Sequence, residues 1–375
     1  MAPSPGHVTT DPPGAAEAAF SATAPADSDL YREWSELAER AAGSPFAHPG
    51  WIATWADAFA GRRLSVLGVR REGRLVGVAP FLACPTGIVS PTNWHTPQFG
   101  LVATDACARD ELAAELVARA WHRLDISFLD AGSDDLRAVR DAAAGKGRIV
   151  VRRAIQRSLY VAADGDWDGY RRRIGSKALR ELRRRRRRLE AEGKVTVDFV
   201  TPGARPDGLL EEGFAVEGSG WKNERGTAIA SQPETHRFYT DIARWAAKRG
   251  WLLLSFLRVN GRVAAFDLCL ECGGRTYVLK GGYDPAFRAF APRTILLHDS
   301  LERVFARGGR SYEFLGADED YKRRWATGAR ERLRLQVFPR TAAGLAGYAA
   351  WTVGRSAGKR AVALRDRARR LHILR

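Results

Sequence analysis

The chain has 375 residues, 45% of them hydrophobic, and a formal net charge of +17, which is more length than one hydrophobic core usually serves and points to two units or one duplicated unit. Four scattered cysteines exclude a disulfide framework and suit a reducing compartment, and no apolar run reaches the roughly 18 residues a membrane span needs. Residues 171–194 carry +9 and residues 340–375 carry +8, so the excess charge lies in two segments and the rest of the chain is formally neutral.

Residues 1–28 are rich in Pro, Ala, Ser and Thr without a basic leader or an apolar core, and read as a disordered tail, not a signal peptide. "LYREWSELAERAAG" and "PGWIATWADAFAG" have the apolar spacing of two helices. "LSVLGV" and "RLVGVAPFLA" read as strands joined by "RREG", followed by a helix "RDELAAELVARAWHRL" and a buried strand "DISFLDAG". The same order then recurs. Helices "LLEEGFAVEGSGW" and "PETHRFYTDIARWAAKRG" precede the strand "WLLLSFLRV", the hairpin dipeptide Asn260-Gly261, and the strand "RVAAFDLCLE". Gly273-Gly274 turns the chain into "RTYVLKGGY"; a helix "RTILLHDSLERVFARGG" and a strand "SYEFLGA" follow.

"GRLVGVAPF" from Gly73 echoes "GRVAAFDLC" from Gly261 at an offset of 188, and "SFLDAG" at Phe128 echoes "EFLGAD" at Phe314 at an offset of 186, which points to internal duplication. The expected organisation is a tail (1–28), a first αβ half (29–170), a basic bridging helix (171–194), a second αβ half (195–340) and a basic helical tail (341–375). In the bridge, Leu179, Leu182 and Leu189 form one helical stripe, and the arginines of the run 183–188 cover the remaining directions.

In the second half a strand, a loop and a helix start follow one another in "YVLKGGYDPAFRAFAPRTILLHDSL". Pro292 suits the first turn, and Ile295, Leu296, Leu301, Val304 and Phe305 define the buried face. A helix start opening from the loop after a strand presents backbone N–H groups and a partial positive charge suited to a diphosphate, with Arg288 and Arg293 adding formal charge. An ordinary strand-to-helix connection with exposed arginines reads the same way.

From "RVNGRVAAFDLCLECGGRTYVLKGGYDPAFRAFAP" to "YEFLGADEDYKRRWATG", and in "SPFAHPGWIATWADAF", "GRLVGVAPFL" and "SKALRELRRRRRRLEAEGKV", the chain resembles the GNAT-type acyltransferases of the CelD-like group, relatives of the Fem-type peptidyltransferases. The likeness spans roughly residues 45–340. It implies an α/β (α+β) protein of two tandem GNAT-like halves with mixed, mainly antiparallel sheets joined by a basic helix, the second half holding the donor site. It implies transfer of an acyl group from acetyl-CoA or another acyl-CoA to an amine or hydroxyl, with no metal. Arg288, Ala289, Phe290, Arg293 and Thr294 become the donor-binding positions. Related sequences often read Ser-Pro-Gly where this one reads Ala291-Pro292-Arg293, which removes a glycine that lets backbone approach the diphosphate; Arg293 offers charge in its place. Tyr321 in "DEDYKRRW" matches the tyrosine that protonates the leaving thiolate in such enzymes, with Asp318 and Lys322 shaping the site. A charged helix start explains the same residues.

Asp267 interrupts an apolar strand and is therefore paired or functional; Lys280 raises the same question on the next strand, and an Asp267–Lys280 pair answers both. Tyr283 ends that strand near the donor loop, and Trp221 and Lys222 resemble the family's acceptor-side helix end. Cys269 and Cys272 sit three apart on a strand, pointing to opposite faces, and the seven histidines show no metal-binding spacing.

The leading expectation is a cytoplasmic acyltransferase acting on a small or envelope-linked acceptor, with polysaccharide-related work suggested by the resemblance. Fem-type transfer from aminoacyl-tRNA is the second reading, with RNA on 171–194. The third is a non-catalytic module holding RNA or lipid. The tail 340–375 suits an anionic membrane surface, peripheral to the inner face.

Overall fold

The computed structural model describes residues 17–21, 28–41, 43–61, 64–85, 87–120, 122–203, 205–219 and 229–352. The first helix, α1 (Asp29–Ala41), buries Trp34, Leu37 and Ala38 at helical spacing. α2 (Pro49–Phe59) starts where the His48 side chain accepts from the Gly50 N–H, with proline in the first turn. β2 (Leu64–Arg71) and β3 (Arg74–Cys84) form a hairpin, and β1 (Glu17–Ser21) pairs with β2. The expected tail therefore holds a strand at 17–21.

β4 (Gly87–Val89), β5 (Val102–Ala103), α3 (Ala106–Arg119), β6 (Leu124–Asp130), α4 (Asp134–Gly145) and β7 (Ile149–Ala162) complete the first half. The bridge is two helices, not one. α5 (Trp167–Ile174) and α6 (Ser176–Glu190) break at Gly175, whose φ of 90° no helix accommodates. Leu179, Leu182 and Leu189 are all buried, as their stripe requires.

The second half runs β8 (Val195–Val200), α7 (Asp207–Gly218), α8 (Pro233–Lys248), β9 (Leu252–Val259), β10 (Arg262–Cys272), β11 (Arg275–Tyr283), α9 (Pro292–Ala306), β12 (Ser311–Glu313), α10 (Asp320–Arg323) and β13 (Gly328–Phe338). Residues 342–352 are helical, and Tyr348 and Trp351 pack against Phe338; residues 353–375 of the expected basic tail lie outside the described residues.

The backbone repeats between halves as the sequence does. Glu72 and Gly73 (φ 52° and 74°) close the first hairpin and Asn260 and Gly261 (φ 50° and 82°) close its counterpart, both pairs left-handed as a two-residue hairpin requires. Phe128 (φ 62°) and Leu315 (φ 52°) are a second matched pair, 187 positions apart.

The halves share one sheet in the order β1-β2-β3-β4-β6-β13-β7-β12-β11-β10-β9-β8, with β5 on β3. Only β4–β6 and β11–β12 are parallel among its pairs. The halves are fused by exchanged strands: β7, from before the bridge, pairs with β12, and β13, from the chain's far end, lies between β6 and β7. Trp34, Trp51 and Trp55 of the first half pack with Phe238, Phe256 and Phe266 of the second in one core cluster.

α7 approaches β10 closely because Gly213 has no side chain: a Cβ there would lie 2.4 Å from the Phe266 ring. Phe266 is fully buried and has nowhere to move. Gly213→Ala should therefore lower urea stability by about 1–3 kcal/mol, the usual penalty of overpacking.

Candidate active site

β11 and β12 are parallel neighbours only from Arg275↔Ser311 to Tyr277↔Glu313. Beyond that β11 continues to Tyr283, while the other chain leaves through Leu315 and Gly316, both at positive φ. Two parallel strands that part in this way leave a split whose walls are backbone and whose floor is the sheet. A 3-10 turn, Pro285–Phe290, and α9 stand over its mouth. Asp284 caps the turn, its Oδ1 accepting from the Ala286 N–H at 2.9 Å and its Oδ2 from Arg262 Nε at 2.9 Å.

α9 begins at Pro292, and Ile295, Leu296, Leu301 and Val304 are buried as expected, with Phe305 half-buried against Trp167 and Tyr170. Its N-cap, Ala291, is left-handed at φ 50°, ψ 57°, a conformation that glycine adopts freely, while Arg293, at the position of the related sequences' glycine, lies in the first turn of the helix. Ala291→Gly should raise stability by about 1 kcal/mol in urea unfolding, because the Cβ strain of a left-handed residue is released.

Arg293 turns inward. Its Nε donates to Asp267 Oδ1 at 3.1 Å and its Nη1 to the Tyr321 hydroxyl at 3.3 Å, with the guanidinium 5.7 Å over the Tyr321 ring. Asp267 is 2% exposed on β10 and its ion pair is with this arginine. Gly281, facing Asp267 across the strand register, makes the room: a Cβ there would lie 1.7 Å from Asp267 Oδ1 and 2.8 Å from Arg293 Nη2. Burial works against the Arg293 charge, but Asp267, Tyr321 and Tyr312 outweigh it and hold its pKa above the ordinary value. Arg293 thus reaches the acid position, and Asp267 meets the charge that the sequence reading offers to a phosphate.

Tyr321 is 43% exposed. Its hydroxyl oxygen accepts from Arg293, which leaves the phenolic hydrogen free for another acceptor. Burial raises its pKa and the Arg293 charge opposes the rise. Tyr312 is fully buried on the same face, and burial raises its pKa as well.

Asp318 and Lys322 hold the loop beneath Tyr321. Lys322 Nζ is buried and donates to the carbonyls of Leu315 at 3.1 Å and Ala317 at 3.0 Å, with Glu319 2.7 Å away; burial lowers its pKa. Asp318 accepts from Arg323 at 2.7 Å and from Arg157 of β7 at 2.6 Å, and these bonds, Arg323 first, hold its carboxyl below the usual range.

Lys280 takes a different neighbour from the one expected. The β10–β11 register shifts between Leu268 and Cys269, so that Leu268 faces Lys280 while Cys269 faces Val278. The Lys280 ammonium lies 5.2 Å over the Tyr239 ring of α8. Around it stand groups the sequence reading missed. His95, from the first half, meets the Tyr239 hydroxyl at 3.1 Å, and burial with the nearby Lys280 charge lowers its pKa to about 4. Glu217 is 2% exposed and accepts from the Ile229 N–H at 2.9 Å. Its backbone packs on Gly282, where a Cβ would lie 2.6 Å from Glu217 Cα. Tyr283 is half-buried at the strand end, and Trp221 and Lys222 lie outside the described residues.

Arg288 and Ala289 are exposed on the turn, with Phe290 and Thr294 half-buried beside them; the Thr294 N–H donates to the Ala291 carbonyl at 2.9 Å. The basic helix runs alongside. Arg186 makes two bonds to Asp299 of α9, at 2.9 and 2.8 Å, and exposed Arg188 lies 5.5 Å over the Phe290 ring. Part of the arginine run therefore rims the mouth. Cys269 and Cys272 pack into different core clusters, as their spacing predicts. His298, Asp299 and Glu302 approach one another on α9, where Asp299 is bound to Arg186.

Residues 176–323, from α6 to α10, match the family model described as an acetyltransferase (GNAT) domain. Among solved structures the fold is similar to that of FemX, at 13% identity and TM-score 0.54 over 81% of this chain and 95% of that one. It is also similar to the C-terminal domain of a protein assigned as a lysylphosphatidylglycerol synthetase from Agrobacterium fabrum, at 12% identity and TM-score 0.52 over 86% and 95%. A protein of unknown function from Bacteroides thetaiotaomicron matches at 11% identity and TM-score 0.54 over 85% and 99%. No curated protein matches. The chain has a GNAT-like fold, similar to that of FemX, and its residues 176–323 are similar to an acetyltransferase (GNAT) domain.

Proposed function

We propose that the protein transfers an acyl group from an acyl-CoA, acetyl-CoA foremost, to an amine or hydroxyl acceptor at the β11–β12 split. The observation that carries this is the Tyr321 hydroxyl, held by Arg293 beside the N-terminus of α9 with its own hydrogen free to be donated. The α9 start and the exposed Arg188 and Arg288 suit the donor's phosphates. The acceptor's lone pair attacks the thioester carbonyl, the C–S bond breaks, Tyr321 gives its proton to the departing thiolate while Arg293 steadies the phenolate, and the proton shed by the acceptor nitrogen or oxygen restores the Tyr321 hydroxyl. Lys280, His95, Glu217 and Tyr239 face the acceptor side, and Trp221, Lys222 and Tyr283 belong to it in this reading. The acceptor is a small or envelope-linked molecule. No helix among the described residues is long and apolar enough to cross a membrane, and peripheral attachment through 340–375 accords with the basic tail.

The arginines beside the mouth favour one second reading, an RNA-linked aminoacyl donor whose phosphates meet α6. Thermal unfolding with CoA, total tRNA and anionic vesicles, each at low and high salt, separates the two. A CoA shift that survives salt supports the first reading. A tRNA shift that collapses with salt and no CoA shift would replace it with the second.

A further inference from the structure

The first helix of the bridge, α5, touches both of the elements that meet at Tyr321. Toward α9 it presents aromatic rings: Trp167 lies 5.2 Å from His298 and 5.5 Å from Phe305, and Tyr170, stacked on Trp167, lies 5.1 Å from Phe305. Toward the Tyr321 segment it presents donors. The Tyr170 hydroxyl donates to the Trp325 carbonyl at 2.7 Å, and Arg173 Nη2 donates to the carbonyls of Trp325 at 2.6 Å and Ala326 at 2.9 Å.

The segment depends on outside anchors. α10 is a single turn of four residues, far below the length at which a helix holds itself in water. The N–H groups of Trp325 and Ala326 close onto the Lys322 carbonyl at 3.0 and 2.9 Å, which joins the turn to the two residues that α5 grips. Lys322 binds carbonyls within its own loop, so it shapes that loop without placing it. Placement comes from β7, through Arg157 on Asp318 and the Thr327 N–H on the Tyr160 carbonyl, and from α5. β7 ties the segment to the sheet, whereas α5 ties it to α9, the helix that carries Arg293. The Trp325 ring is buried in the same core cluster as Tyr170 and Ile295 of α9.

The contact set by this spacing is the bond from Arg293 to the Tyr321 hydroxyl, at 3.3 Å already long for its kind. A small shift of the segment would break it. The two donors are suited to a fixed role. Tyr170 is 6% exposed and burial raises its pKa, so its hydroxyl keeps its hydrogen. Arg173 belongs to the basic segment by sequence, yet its Nη2 is committed to backbone carbonyls and its guanidinium lies 5.3 Å over the Tyr170 ring.

We infer that Tyr170 and Arg173 are positioning residues, which hold Trp325 and Ala326 and thereby set where the Tyr321 hydroxyl sits relative to Arg293. The inference rests on the transfer reading proposed for Tyr321 and gives the bridge a part in the reaction that its charge does not suggest.

The test uses the full chain and two readouts. Tyr321→3-fluorotyrosine places a fluorine on the ring, whose resonance should be single and sharp. Adding Tyr170→Phe with Arg173→Met should displace or split it. Leu112→Ala, a destabilising change in the core cluster of the first half, should leave it in place. The second readout is thiol release from acetyl-CoA with water in the acceptor's place. Tyr170→Phe with Arg173→Met should lower kcat about tenfold, with KM within about twofold, as expected when a reacting group is misplaced. Arg173→Lys, which keeps a donor, should recover part of the rate, and adding the pair of changes to Tyr321→Phe should cost nothing further, since no acid is left to place. An unmoved resonance, or losses that multiply in the combined variant, would overturn the inference. A displaced resonance with Tyr321→Phe at full rate would contradict the transfer reading instead.

Discussion

Tyr321→Phe should lower kcat for acyl transfer by about 10²–10³-fold while the KM for acyl-CoA stays within about twofold. Removing one oxygen deletes the proton donor, and general acid catalysis is worth that much. The ring keeps its place under Arg293, so donor binding has no reason to change. The pH profile gives a second readout. Burial raises the Tyr321 pKa above its ordinary 10.0, with Arg293 only opposing the rise, so the acid stays protonated at neutral pH and its alkaline limb should fall above pH 10. In Tyr321→Phe that limb should vanish. A variant retaining the full rate would remove Tyr321 from the chemistry.

Asp267→Ala should lower stability by about 3 kcal/mol in urea, because it leaves the Arg293 guanidinium in a poorly solvated position without its counter-ion. The double variant Asp267→Leu with Arg293→Met should recover most of that loss, since apolar residues of similar volume replace a buried pair at little cost. It should not recover activity: nothing would then hold the Tyr321 hydroxyl. Recovery of stability and rate together would show the pair to be packing alone.

The fold was legible where local chemistry and tertiary demand agree. Asn260-Gly261 is a hairpin signal in any context, and Pro292 with its apolar stripe marks α9. The bridge was legible only in part, because Gly175 breaks it at a position that periodicity does not penalise, while its three leucines pack as expected. The sharing of one sheet was not legible: β7 and β13 pair over long sequence separations, and alternation within a strand says nothing about its partner.

At the site, Asp267 was recognisable as costly on an apolar strand, but its partner was not. Lys280 was the nearer cation in the strand pattern, whereas Arg293 arrives from a helix, through space that Gly281 clears. "KGGY" held that signal, since two adjacent glycines inside a strand mark close approach. His95 and Glu217 carried none. A histidine in a loop of the first half meets Tyr239 only because the halves pack together.

The most direct measurement is hydrogen–deuterium exchange of the full chain with and without saturating CoA. The account predicts slower exchange at residues 285–296 and 314–323, the turn, the start of α9 and the Tyr321 loop, with little change at 245–251, where α8 ends and the chain turns into β9. Protection confined to residues outside the split, or no protection from CoA at any concentration that saturates a thermal shift, would contradict it.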